Sequence, residues 1–400
     1  MVGLVQSLAA SVAPFVLVIS LIVTIHELGH FLVGKACGVA IDRFSLGFGR
    51  AIISWRDKSG VEWRLGWLPL GGYVKFAGDE NAAGAATGEE LEALRGRIHE
   101  REGAGAEAKY MAFKPVWQRV LIVLAGPFAN FVLSTVIFAV FFMTFGESTT
   151  RSVVTQVVPH EAAAQAGFAK GDVIVAADGK PMPTFDQVEF YVRYRGGVPI
   201  DFTVDRAGRT VHLRVTPASK QEASDFGGTQ TVGKIGLGAA VGAFHKLSPI
   251  AAVTLGVQRT WDVGATTLYY LGRIVTGQIA PDQLHSIVGM VHASGALTHQ
   301  AIDVGHRVKI NWLIPEAVFL SQMAAVMSVS IGLLNLLPIP TLDGGHLVFY
   351  AYEWVAKRPA AARVQAAGYR AGLALLVGLM LFATWNDVSR LSLFRFLGIS

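Results

Sequence analysis

Residues 8–34 read LAASVAPFVLVISLIVTIHELGHFLVG, an apolar run interrupted by His26, Glu27 and His30. No Lys or Arg precedes Lys35, and a cleaved secretory leader wants a basic start, so this segment is expected to stay as a membrane helix. On a helix, residues four apart share a face, so both imidazoles can reach one ion while Glu27 stays offset, near a water on that ion. Zinc suits two imidazoles plus a third ligand, with the fourth position left for water, and Glu27 is placed to take a proton as general base. The competing reading is a pair of histidines packed at a helix end with Glu27 solvated. Membrane burial weighs against it, because each ionisable group in a span costs about 2.5–3.5 kcal/mol and three in one turn call for a compensating partner.

The rest of the composition agrees with a bilayer as solvent. Of 400 residues, 52% are hydrophobic and 16% charged, and the mean hydropathy is +0.45. Three further apolar stretches approach the roughly 20 residues a span needs, at about 120–145, 317–337 and 371–385, the last being short. Residues 249–271 are weaker and read as an amphipathic or surface-lying helix. The net charge of +5 is not gathered into a basic tract with interleaved aromatics, which argues against nucleic acid. With Cys37 as the one cysteine, an intramolecular disulfide and a CxxC metal site are both excluded; Cys37 reads as a small buried thiol.

Basic residues set the expected orientation, since cytoplasmic flanks collect Lys and Arg. Lys35, Arg43, Arg50, Arg56, Lys58 and Arg64 follow the first span, Lys114 and Arg119 precede the second, and Lys357, Arg358, Arg363 and Arg370 separate the third from the fourth. Both termini then face away from the cytoplasm. The fold class expected is a polytopic α-helical membrane protein of about four transmembrane helices, with an inserted β-rich domain and membrane-associated β-hairpins. Its parts are residues 1–149 (two spans and a cytoplasmic hairpin loop), 150–242 (the extracytoplasmic β-rich domain) and 243–400 (two spans). Within the first loop, Phe44–Arg50, Ile52–Trp55, Val61–Trp67 and Gly71–Phe76 alternate polar and apolar residues between glycines, as hairpins do. Asp79–Lys109 reads as a mobile, partly helical loop. In the inserted domain, Ser152–Val158, Asp172–Ala177, Ile200–Val204 and Val211–Val215 read as strands, with turns at Asp178-Gly179 and Arg206–Gly208 and a helix at Phe185–Arg195.

A third metal ligand has one leading candidate. Asn335-Leu-Leu-Pro-Ile-Pro-Thr-Leu-Asp-Gly-Gly345 closes the third span, with Asp343 among prolines and glycines that break the helix. The charge rule puts this segment and the His26–His30 turn at the cytoplasmic ends of their spans, at similar depth. A helix cap is the other reading of Asp343, and an interhelical hydrogen bond is weighed equally with substrate binding for Asn335. His285, His292, His299 and His306 form a loose cluster whose spacing matches no metal site.

Taken together, His26–His30, Gly71-Gly-Tyr-Val-Lys75, Ala125-Gly-Pro-Phe-Ala-Asn130 and Asn335–Gly345 resemble, in order and across nearly the whole chain, the site-2 protease family, in particular its bacterial sigma-E-regulating branch. The resemblance implies an intramembrane zinc metalloendopeptidase of the bacterial inner membrane. Its substrates would be single-pass membrane proteins, such as anti-sigma factors or signal-peptide remnants, cut in or near their transmembrane segments. It implies Zn2+ on residues matching His26, His30 and Asp343, a base matching Glu27, and substrate handling at Asn335 with the nearby Pro338 and Pro340. The hairpins, including Gly71 and Gly72, resemble a membrane-dipping β-element that presents substrate as an extended strand. Ala162–Gly179 resembles part of a PDZ domain, implying a peptide or protein ligand beside membrane lipid, while the charge rule puts the active site near the cytoplasmic side. One such unit is visible where the sigma-E-regulating member carries two, and Ile287-Val-Gly-Met-Val-His292 stands where relatives tend to have Gly-Pro. The rivals are a membrane metal-ion transporter, in which Glu27 would be dispensable, and a non-catalytic PDZ scaffold.

Overall fold

The computed structural model describes residues 2–78, 88–148, 152–223, 229–239, 244–277, 287–308 and 311–390. The chain begins with α1 (Val2–Ala36), the long strands β1 (Ile41–Arg56) and β2 (Glu62–Phe76), α2 (Gly88–Glu102) and α3 (Val116–Thr144). A β-rich stretch follows: β3 (Glu147–Ser148), β4 (Val154–Val157), α4 (Ala162–Gln165), β5 (Val173–Ala177), β6 (Lys180–Pro181) and α5 (Phe185–Arg193). It continues through β7 (Ile200–Arg206), β8 (Arg209–Val215), β9 (Ala218–Ala223), β10 (Thr229–Lys234), β11 (Leu237–Ala239) and β12 (Phe244–His245). Helices complete the chain: α6 (Pro249–Val275), α7 (Ile287–Val308), α8 (Leu313–Asn335), α9 (Asp343–Ala356) and α10 (Ala362–Arg390).

Among the described residues, four helical segments are long and apolar enough to cross a membrane: Ser11–Ala36, Val116–Thr144, Leu313–Asn335 and Arg363–Asp387. Their outward faces carry exposed Leu17, Leu21, Phe128, Val136, Val326 and Leu379, a surface that water would penalise and hydrocarbon does not. The protein is therefore polytopic. The fourth span, short by its apolar run alone, is part of a longer helix, because Gln365 and Tyr369 ahead of that run are polar without breaking the helix. Residues 249–271 fall in α6, whose Ser248 accepts from the Ala251 N–H as an N-cap ahead of Pro249.

Chain contacts divide the protein into two compact units. The first comprises residues 1–137, 257–264 and 284–389 and holds every residue of the candidate site. Here α1 and α3 meet backbone to backbone, since a Cβ on Gly29 would lie 2.3 Å from the Ala125 carbonyl oxygen and 2.9 Å from the Ala129 methyl. Any larger residue would separate the helices. The continuous helix α7 goes beyond the sequence expectation; it packs on α1 and α8 through Ser294, whose hydroxyl donates to the Ser11 carbonyl, and Thr298, which donates to Glu316 at 3.0 Å. His285 and the side chains of His292, His299 and His306 lie outside the described residues.

Two bent strands make the sheet beside α1. Residues 41–46 lie between two parts of β2: Ser45 pairs with both Arg64 and Tyr73, and Leu46 with both Leu65 and Gly72. Residues 51–56 pair with the outer flank of 62–66, which leaves 72–76 as the edge against α1. Asp57 closes the turn between the strands. Its Oδ1 accepts from Ser59 and Val61 and its Oδ2 from the Trp63 indole, and the Ser59 and Trp63 bonds lower its pKa to about 2. Phe31, Phe44 and Trp63 pack edge to face or tilted at ring separations of 4.8–5.5 Å and seat the sheet on α1; burying a side chain such as Phe44 is worth about 2–3 kcal/mol.

The second unit comprises residues 138–256, 265–283 and 390–400. An antiparallel sheet of order β6-β5-β7-β8 carries Ile200, Phe202 and Val204 inward on alternate positions. The two-residue turns fall where the Asp-Gly and Ala-Gly pairs place them, with positive φ at Asp178, Gly179, Ala207 and Gly208. The pairs β4–β11, β9–β10 and β3–β12 also belong to the unit; the residues of β9 and β10 are too polar to read as strand from sequence. The last turns of α6 belong here: Arg195 stacks on Tyr191 and Tyr269, and Arg273 donates to the Tyr194 and Gly196 carbonyls.

Asp172 pins this unit. It is 1% exposed, accepts from Arg206 Nε at 2.7 Å and Nη2 at 2.8 Å, and from the Ala169 N–H at 2.9 Å. The Arg206 guanidinium holds its carboxyl below the usual carboxylate range, with burial pulling the other way and the Ala169 bond helping. A depressed folded pKa gives stability that is fully present above the unfolded value of about 4 and is lost as pH falls through the folded value. In the full-length protein, Asp172→Asn is therefore expected to speed proteolysis within residues 152–239 about tenfold or more at pH 7, the gap to wild type closing in acid; equal rates at pH 7 would contradict this.

Candidate active site

α1 presents His26 and His30 one turn apart, buried, with rings edge to face at 4.8 Å and Nε2 atoms 3.2 Å apart. The chain leaves α8 through a series of tight turns, Ile339 N–H donating to Leu337 and Leu342 N–H to Ile339. It re-enters a helix at Asp343, whose Oδ2 lies 3.1 Å from His26 Nε2 and 3.5 Å from His30 Nε2. Leu342 holds the cap position and no side chain caps this helix, so Asp343 is not spent as a cap.

These three atoms form a triangle with edges of 3.1, 3.2 and 3.5 Å. A tetrahedral zinc with bonds of 2.0–2.1 Å keeps its ligands about 3.3 Å apart, so the donor set fits that ion. The backbone around it leaves room as well. A Cβ on Gly126 of α3 would stand 2.3 Å from His30 Nε2 and 2.8 Å from His26 Nε2; the space facing both nitrogens exists because residue 126 has no side chain. Among the described residues, His26, His30 and Asp343 are the group able to hold a metal ion.

α3 also orients the two rings. His30 Nδ1–H donates to the Ile122 carbonyl at 2.8 Å, which leaves a lone pair on Nε2. The amide of the wholly buried Asn130 lies 3.3 Å from His26 Nδ1. With its NH2 toward Nδ1, the ring proton would sit on Nε2; with its carbonyl oxygen there, the proton sits on Nδ1 and Nε2 keeps a lone pair. The second orientation also gives Asn130 Oδ1, otherwise without a partner, a donor to accept from. Ile122, Gly126 and Asn130 follow one another at intervals of four on one face of α3.

Glu27 is held from the sheet side. Its Oε2 accepts from the Val74 N–H at 3.1 Å, and a Cβ on Gly72 would lie 3.4 Å from its Cγ. Asn335 brings its amide nitrogen to 3.3 Å from His26 Nε2. Gly71 packs under the Phe48 ring; Pro340 packs beneath Gly345 and against Gly368 and Gly372 of α10; Pro338 is exposed. Ile122, Gly126, Asn130 and Val74 join the site without having been singled out by sequence. Gly126 and Asn130 sit in the 125–130 run, where the four-residue spacing is the available signal; a backbone carbonyl or amide leaves none.

A profile of peptidase family M50 matches residues 14–379. The chain belongs to this family. It is 49% identical over 384 residues to metalloprotease MmpA of Caulobacter vibrioides, covering 95% of this chain and 96% of that one. A putative zinc metalloprotease of Agrobacterium fabrum is 42% identical over 388 residues, covering 96% and 97%. Zinc metalloprotease RasP of Geobacillus kaustophilus is 28% identical over 444 residues, covering 95% and 98%. The protein is thus an intramembrane zinc metalloprotease acting on membrane proteins. Gly126→Ala is expected to weaken zinc affinity at least about tenfold while the protein still accumulates in membranes, measured by chelator competition on purified protein; wild-type affinity would contradict the cradle.

Proposed function

We propose that His26, His30 and Asp343 hold the zinc, that Glu27 is the general base, and that the peptide bonds cut lie in or next to transmembrane segments of single-pass proteins. The observation that carries this is the 3.1–3.5 Å triangle of donor atoms one residue from a carboxylate anchored by a strand. Zinc, when bound, supplies Lewis acidity that polarises a carbonyl and acidifies water at neutral pH. Glu27 takes the proton of the attacking water. The Val74 N–H holds Oε2, so Oε1 is the oxygen free to receive it, and the same carboxyl then returns the proton to the amine nitrogen as the C–N bond breaks. Asn335, its amide beside the ligand face of His26, donates to the oxyanion that develops on the scissile carbonyl.

A helical peptide bond is shielded by its own hydrogen bonds, so the substrate must be extended to react. Residues 72–76 form an edge of the sheet beside α1, with Gly72 packed close to Glu27; an edge strand next to the base supports presentation of substrate as an added strand. The exposed Phe48, Ile52, Ile53, Trp55 and Trp67 support contact of this sheet with lipid. We further propose an inner-membrane location, with the β-rich unit extracytoplasmic and PDZ-like, binding a peptide or protein segment, and with the site near the cytoplasmic side. The asymmetry of Lys and Arg between loops supports that orientation.

Glu27→Gln in purified protein is expected to keep its zinc and lower cleavage of a model transmembrane substrate by about 100-fold or more. Asp343→Asn is expected to lose zinc and activity together. Cleavage unchanged by Glu27→Gln would overturn the mechanism.

A further inference from the structure

The proposed third ligand stands on a helix seated at its first turn by Gly344 and Gly345 against residues 336–340 and near its far end by an ion pair to α3. α9 turns Val348, Tyr352, Trp354 and Val355 outward, each 45–74% exposed. In hydrocarbon such a face gains nothing from packing against protein rather than lipid, so the orientation of α9 depends on its inner face. Along that face Asp343, Tyr350 and Glu353 follow at helical spacing. Glu353 takes both Nη groups of Arg119 on α3, the Nη1 bond being 3.0 Å. Arg119 is itself 8% exposed, donates its Nε–H to the Lys114 carbonyl at 3.0 Å, and lies over the Tyr350 ring at 4.8 Å.

Arg119 is therefore held on the α3 side by its own backbone and by the Lys114 carbonyl just ahead of that helix, while Glu353 and Tyr350 of α9 close on it, and α3 is the helix that orients both imidazoles through Ile122 and Asn130. A carboxylate that must meet a planar, bidentate guanidinium in a buried place has little freedom in angle or distance. Ten residues of helix, about 15 Å, separate Glu353 from Asp343, so a small tilt of α9 at one end moves the other by an amount comparable to a metal–ligand bond tolerance.

We propose that the Arg119–Glu353 ion pair is the seat that sets Asp343 against His26 and His30, making both members positioning residues for the zinc. This rests on the reading of Asp343 as third ligand. With Glu353 neutralised, the guanidinium keeps its charge but loses the partner that fixed α9, and the carboxylate of Asp343 is no longer held within bonding reach of both imidazoles at once.

The test uses full-length protein in detergent with zinc affinity read by chelator competition, beside the visible spectrum of the cobalt(II)-substituted protein, which reports coordination. Glu353→Gln and Arg119→Gln are each expected to weaken zinc binding about tenfold or more and to shift the cobalt spectrum toward that of Asp343→Asn. The reversed pair, Arg119→Glu with Glu353→Arg, is expected to recover most of the loss. Arg43→Gln, which breaks the Arg43–Glu62 pair of the sheet, is expected to leave both readouts unchanged. If Glu353→Gln does not accumulate, Glu353→Asp moves the same charge by one methylene and is expected to weaken binding less but measurably. Wild-type affinity and spectrum in the Glu353 and Arg119 variants, with Asp343→Asn impaired, would overturn this inference and leave the ligand assignment standing. Wild-type zinc binding by Asp343→Asn would instead remove the reading beneath it.

Discussion

Two imidazole nitrogens and a carboxylate oxygen meet at 3.1–3.5 Å among helices whose other faces are apolar. Burying such groups without partners is expensive, and three acceptors turned on one point repel one another unless something positive lies between them. The proposed zinc would relieve that repulsion, and the surrounding architecture leaves room for a cation there. Gly29 lets α1 and α3 touch, Gly126 leaves the gap, and the Ile122 carbonyl and the Asn130 amide orient the rings. The broken end of α8 swings Asp343 across from a distant part of the chain.

The sheet beside α1 answers a second constraint. A general base must be fixed in position yet keep one oxygen free, and it must sit where an extended substrate can reach it. For Glu27, the proposed base, Val74 meets the first need with a backbone N–H on one oxygen. The same strand is an edge, so the group that steadies the base also belongs to the surface on which a strand can add. Gly72 serves both, since any side chain there would press on the Ser45 carbonyl and on Glu27.

Much of this is legible in the sequence because bilayer burial and metal coordination both restrict residue choice. Long apolar runs mark spans, and a His-Glu-Leu-Gly-His turn inside one is too costly to be incidental. Asp343 stands out because prolines and glycines around it forbid a continuing helix. Asp178-Gly179 and Ala207-Gly208 are legible as turns because their backbone must adopt positive φ. What stays hidden is carried by backbone atoms or by pairs far apart in sequence. The Ile122 carbonyl and the Val74 amide have no residue signature, and Arg119 with Glu353 are 234 positions apart. The strands β9 and β10 escape a sequence reading because Ser, Lys, Gln, Glu and Thr dominate them, and α7 because its polar residues interrupt an apolar pattern that only its neighbours α1 and α8 complete.

X-ray absorption at the zinc edge of the purified protein bears most directly on the shared ion. The expected shell is two imidazole nitrogens and oxygen ligands at about 2.0–2.1 Å, with one oxygen altered in Asp343→Asn. A sulfur shell at about 2.3 Å, which would implicate Cys37, or a coordination shell unchanged by loss of the Asp343 carboxylate, would contradict it.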